Sequence, residues 1–134
     1  MARSPEQQLN ILIIDDDREL LDTLSIVLSS MDYKVTCIDS AVRGVTLMSE
    51  KNYDVALVDL RMRRMDGNQF LRTAQLINQD CKVVLMSAYA TAEAMVTAIR
   101  ENVYDYLLKP FKVAELENIL RRVAGEIATQ RKQE

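Results

Sequence analysis

Val55-Ala56-Leu57-Val58-Asp59 is four apolar residues running straight into a carboxylate. A run this short and this continuous reads as a strand covered on both faces. An acid at the point where such a strand opens into a loop is costly unless a cation or a hydrogen-bond donor meets it. Three further runs end in the same manner. Ile11-Leu12-Ile13-Ile14 leads into Asp15-Asp16, Val83-Val84-Leu85-Met86 into Ser87, and Tyr104-Asp105-Tyr106-Leu107-Leu108 into Lys109. If the strands lie parallel in one sheet, three acids, a hydroxyl and an ammonium meet at its C-terminal edge. That set suits a divalent cation held by oxygen ligands and a phosphoryl group placed on Asp59.

Worked outward from there, the chain alternates five strand-like runs with five helical patterns. The strands are expected over Leu9–Ile14, Lys34–Ile38, Val55–Val58, Lys82–Met86 and Tyr104–Leu108, and the helices over Arg18–Ser30, Ala41–Glu50, Asn68–Asn78, Thr91–Asn102 and Val113 to about Arg131. The alternation predicts an α/β fold, a three-layer (βα)5 sandwich around a five-stranded parallel sheet, with right-handed crossovers. Asp16 with Glu19 and Asp66 with Gln69 both have capping-box spacing, and Asp17 can share the first cap. The last helix carries Val113, Leu116, Leu120, Val123 and Ile127 as one apolar stripe. The same spacing would serve a short coiled-coil seam, but it fails at Gln130. Gly125 is expected to weaken that helix.

At 134 residues, with 49% hydrophobic and 28% charged residues, the chain has room for one globular domain, expected over residues 9–125. Residues 1–8 read as a flexible segment, and 126–134 as a polar tail or the start of a linker helix. A net charge of −3 and the lack of a dense basic cluster argue against direct nucleic-acid contact, and no stretch approaches membrane-spanning length. Cys37 and Cys81 have no metal-type spacing and there is no histidine, so they read as free thiols in a cytoplasmic protein.

The acidic pair in Ile13-Ile14-Asp15-Asp16, the segment Val58-Asp59-Leu60-Arg61-Met62-Arg63-Arg64-Met65-Asp66-Gly67, then Met86-Ser87-Ala88 and Asp105-Tyr106-Leu107-Leu108-Lys109-Pro110-Phe111 occur in this order, each at a strand end. In these parts the chain, from about Asn10 to about Gly125, resembles a CheY-like receiver domain of a bacterial two-component response regulator, with a flavodoxin-like sheet. The resemblance implies that Asp59 is the phospho-acceptor and that Asp15 and Asp16 hold Mg²⁺ together with Asp59 and the main-chain carbonyl of Arg61. It implies that Ser87 and Lys109 contact the phosphoryl oxygens, that Tyr106 is the switch aromatic, and that the peptide before Pro110 is cis. The implied partner is a sensor histidine kinase or a phosphotransfer protein. An effector domain after the chain and a homodimer formed on phosphorylation both remain open. The only chemistry expected is the domain's own aspartyl phosphorylation and dephosphorylation. Lacking histidine, the chain cannot be the histidine partner of such a relay.

Two departures stand out. Arg63-Arg64 occupies a place where the family has a Pro-Gly-like pair, and Asn102-Val103 stands where Gly-Ala is common. Asparagine tolerates the left-handed conformation such a cap requires. Two other readings compete. Asp15-Asp16-Asp17 also resembles the nucleophile motif of haloacid-dehalogenase-type phosphatases, with Asp15 attacking. A flavodoxin-like mononucleotide binder would share the sheet, but three aspartates after the first strand would repel a phosphate.

Overall fold

Residues 8–62, 64–88, 100 and 102–133 are described by the computed structural model. The strands are β1 (Asn10–Ile14), β2 (Lys34–Ile38), β3 (Val55–Asp59), β4 (Lys82–Ser87) and β5 (Asp105–Leu108). All pair in parallel in the order β2-β1-β3-β4-β5. The helices are α1 (Arg18–Ser30), α2 (Ala41–Glu50), α3 (Gly67–Ile77) and a C-terminal helix (Val113–Gln133). The expected helix Thr91–Asn102 lies almost wholly outside the described residues.

Period-two alternation splits each central strand between two cores. Ile11, Ile13, Leu57, Val84 and Met86 face α1 and the C-terminal helix, packing on Leu24, Leu28, Leu116 and Leu120. Leu12, Ile14, Ala56, Val58 and Leu85 face α2 and α3, packing on Met48, Phe70, Leu71 and Ala74. The three layers follow from that division. β1 is flanked by β2 on one side and β3 on the other, so the chain winds outward in both directions from β1/β3. A crevice therefore opens beyond the C-terminal ends of these two strands.

The helix ends follow from local chemistry. α1 is capped by Asp17, whose side chain accepts the Leu20 N–H at 3.2 Å, and not by Asp16. α3 has the full capping box expected of Asp66 and Gln69. Asn102 adopts φ 60°, the left-handed conformation anticipated for it, and the Lys109–Pro110 peptide is cis. Arg64 also has a positive φ of 69°. That conformation favours the glycine common at this turn and strains an arginine. Gln8, at the edge of the segment expected to be loose, donates from Nε2 to Asp32 Oδ1 at 2.7 Å.

The C-terminal helix runs unbroken through Gly125, and Leu116, Ile119, Leu120 and Val123 are buried along it. A Cβ at Gly125 would meet nothing within 4 Å. Gly125→Ala is accordingly expected to stabilise the fold by about 0.5–1 kcal/mol, since it restricts the unfolded chain without a clash. An unchanged urea midpoint would show that the helix is frayed at that point.

Candidate functional site

Asp15 immediately follows β1 and is fully buried. An unpaired carboxylate at such depth would cost several kcal/mol. Here both oxygens are engaged: Oδ1 accepts the Asp17 N–H at 2.9 Å, and Oδ2 accepts Lys109 Nζ at 2.5 Å. The next residue, Asp16, is exposed. The adjacent pair therefore divides into a buried acid tied to the cation and a surface acid open to solvent.

Asp59 closes β3 and is partly buried. Its Oδ1 accepts the Arg61 N–H at 3.2 Å, while Oδ2 lies 3.3 Å from Lys109 Nζ. Burial pushes the Asp59 carboxyl above its ordinary range, and the Asp15 charge adds to that, while the Arg61 N–H and Lys109 oppose it. Burial also acts to lower the Lys109 ammonium, but the bond and charge of Asp15, reinforced by Asp59, overcome it and hold the pKa above that of a free lysine.

Ser87, the last residue of β4, is buried. Its carbonyl accepts the Lys109 N–H at 2.8 Å, so the hydroxyl-bearing and ammonium-bearing backbones are joined directly. Tyr106 is half-buried on β5, and Arg61 is exposed on the loop after β3. The structure thus brings Asp15, Asp16, Asp59, Ser87 and Lys109 to one edge of the sheet. Arg63 and Tyr89 lie outside the described residues.

Asp15, Asp16 and Asp59 each offer an oxygen, and these atoms lie within 4.8 Å of one another. Ligands of one octahedral Mg²⁺ sit roughly 3–4 Å apart, a spacing of the same order. An all-oxygen donor set also suits a hard cation. The residues fit the ion.

Some features were not read from sequence. Arg18, at the start of α1, pairs with Asp39, just after β2, at 2.6 Å. At the opposite end of β5, Arg122 pairs with Asp105, and both Arg122 and Lys82 stand over the Tyr104 ring. Tyr104 also donates its O–H to Glu126 Oε1 at 2.9 Å, and the one part of this group that spacing could suggest is that Arg122 and Glu126 share a helix face. The Arg18–Asp39 pair joins separate elements and leaves no such pattern.

Residues 11–121 match the response regulator receiver domain family. The chain belongs to this family. The receiver is 34% identical over 112 residues to the regulatory protein AtoC of Escherichia coli strain K12, covering 84% of this chain and 24% of that protein. It is 31% identical over 111 residues to the transcriptional regulatory protein ZraR of Klebsiella oxytoca, covering 83% of this chain and 25% of that protein. It therefore spans about a quarter of the length of these relatives. Among solved structures, a CheY-like receiver domain protein from Methanospirillum hungatei JF-1 matches with a TM-score of 0.86 at 24% identity, over 92% of this chain and 98% of that one. The receiver domain of sensor histidine kinase PA1611 from Pseudomonas aeruginosa PAO1 matches with a TM-score of 0.80 at 28% identity, over 88% of this chain and 98% of that one. That structure has a magnesium ion coordinated in its active site cleft.

Receiver domains serve two-component signalling, so the phosphatase reading has no support from these matches. The structure supplies a physical reason. Asp15, its would-be nucleophile, is buried and already bonded through both oxygens. The all-parallel sheet and the acidic cluster agree with the family assignment. Among the described residues, no helix is long and apolar enough to cross a membrane.

Proposed function

We propose that Asp59 accepts a phosphoryl group from a sensor histidine kinase or a phosphotransfer protein in the cytoplasm, with Mg²⁺ held by Asp15, Asp16, Asp59 and the main-chain carbonyl of Arg61. The observation that carries this reading is the division of labour among the acids. Asp15 is buried with one hydrogen bond on each oxygen, which leaves lone pairs for a cation, Asp16 is exposed, and Asp59 is partly buried with Oδ2 3.3 Å from Lys109 Nζ. The Arg61 N–H fixes the rotation of the Asp59 carboxylate and so defines its line of attack. As the new O–P bond forms, the P–N bond to the donor imidazole breaks, and the transition state asks chiefly for alignment and charge stabilisation. Mg²⁺, when bound, neutralises charge on the acids and on the incoming group. Lys109 transfers part of its hydrogen bonding from Asp15 to a phosphoryl oxygen, and the Ser87 hydroxyl donates to another.

Because the Ser87 carbonyl holds the Lys109 N–H, inward movement of either residue is passed to the other strand. Tyr106 then changes its packing, and the surface of the expected helix Thr91–Asn102, β5 and the C-terminal helix becomes the responsive one. That surface would address an effector domain, a partner protein or a second copy of the chain. The function is tested with acetyl phosphate and Mg²⁺. One phosphoryl group per chain, located on Asp59 by mass spectrometry, is expected. Recovery on Asp15 or on a serine would overturn the assignment.

The metal assignment has its own test. Asp16→Asn removes an exposed inner ligand, so Mg²⁺ affinity is expected to fall about tenfold or more. Stability without metal should rise, through loss of repulsion among the acids. Titration of Mg²⁺ against an NMR or fluorescence signal reads the first effect, and urea unfolding in EDTA reads the second. Unchanged metal affinity would remove Asp16 from the ligand set.

A further inference from the structure

Gly67 opens α3 and sits directly behind the phospho-acceptor. Its N–H donates to the Leu60 carbonyl at 2.9 Å, which closes the loop 60–67 at its neck. On the other side, the Leu60 N–H donates to the Met86 carbonyl of β4 at 2.8 Å. Leu60 is therefore clamped between β4 and the start of α3, through its N–H on one side and its carbonyl on the other. No glycine in the described residues has a positive φ, so the demand for glycine at this position is not conformational. It is one of space. A Cβ at Gly67 would lie 2.8 Å from Leu60 Cα, 3.1 Å from the Asp59 carbonyl oxygen and 3.1 Å from Leu85 Cδ2. The first two atoms are backbone and cannot rotate away.

We propose that Gly67 is a positioning residue for phosphoryl transfer: its lack of a side chain lets α3 seat against the Asp59–Leu60 peptide and fixes the Asp59 carboxylate relative to Asp15 and Lys109. This rests on the reading of Asp59 as acceptor. Any side chain at position 67 pushes the peptide toward β4 and carries the Arg61 N–H with it. The hydrogen bond that sets the carboxylate rotation then moves together with the carboxylate. Gly44 provides the contrast. A Cβ there would collide with Ile14 Cδ1 and approach Phe70 Cε2 at 3.1 Å, both side chains in the core between sheet and helices. Gly44 thus secures packing, whereas Gly67 secures the geometry of a reacting group.

The test compares Gly67→Ala with Gly44→Ala. Phosphorylation by acetyl phosphate at saturating Mg²⁺ is measured as a rate constant per folded molecule, with the folded fraction taken from urea unfolding. Misplacement of a reacting group by 1 Å can cost about a hundredfold. Gly67→Ala is expected to slow the reaction by about tenfold or more while folded, since its displacement is smaller. Gly44→Ala should lose stability and keep its rate within about twofold. Adding Leu85→Ala to Gly67→Ala should not restore the rate, because the obstruction is backbone. If Gly67→Ala fails to fold, the comparison is made with both variants in a Gly125→Ala background, which adds stability at a distance. A folded Gly67→Ala with the wild-type rate would overturn the proposal, and so would full rescue by Leu85→Ala. Wild-type protein that takes up no phosphoryl group would overturn the acceptor reading itself, and is seen before any variant is compared.

Discussion

Asp59→Asn is expected to take up no phosphoryl group from acetyl phosphate or a phosphorylated kinase, while remaining folded. The amide keeps the size and the hydrogen-bond acceptor of the carboxylate but is no nucleophile at phosphorus. The variant should also be more stable than wild type near neutral pH. The folded-state pKa of Asp59 is raised, principally by burial, so ionising this group works against the fold. Its stabilising contribution is complete below the ordinary carboxylate range and is lost as pH climbs through the raised value. The advantage of asparagine should therefore vanish in acid and grow toward neutrality. Urea unfolding of both proteins across that range, alongside mass spectrometry after phosphodonor treatment, reads both effects. Residual phosphate on the variant would show that another residue is the acceptor.

The second large effect belongs to Lys109→Met. Asp15 is fully buried and depends on Lys109 as its cationic partner at 2.5 Å. Removing one member of a buried pair typically costs 3–5 kcal/mol, because the other is left charged and uncompensated. Lys109 retains some exposure and the Asp17 N–H remains on Asp15, so a loss of about 2–3 kcal/mol is expected in EDTA. Mg²⁺ should restore part of that loss, since a second cation can replace the first. Denaturant midpoints with and without Mg²⁺ provide the measurement. Equal destabilisation in both conditions would mean that the metal does not reach Asp15.

Much of this arrangement can be read from strand ends. Apolar runs that terminate in Asp15, Asp59 and Ser87 locate the sheet edge, because short, uniformly apolar runs are what strands buried on both faces require. The run before Lys109 is mixed, as suits a half-buried edge strand. The structure carries β3 through Asp59 and β4 through Ser87, one residue beyond the expected limits in each case. Their pairing continues to Met86 and Leu108, which hydropathy does not register. What stayed hidden depends on the third dimension. Neighbouring aspartates look equivalent in sequence, yet Asp15 is buried, Asp16 is exposed and Asp17 caps α1, because a turn sends successive side chains to different places. Strand order was equally illegible, since periodicity says nothing of which strands are neighbours. Nor does the letter glycine at position 67 reveal the peptide it lies against.

The Lys109–Asp15 bond joins residues 94 positions apart. Closing a contact over such a separation requires most of the chain to be in place first, as loop-closure entropy disfavours it until the intervening sheet has formed. Synthesis delivers Asp15 and Asp59 well before Lys109. A nascent chain halted after β4 would hold the acids without their lysine and with no β5 to carry it. On the reading proposed above, the phospho-acceptor thus gains its full set of neighbours only on completion of the last strand.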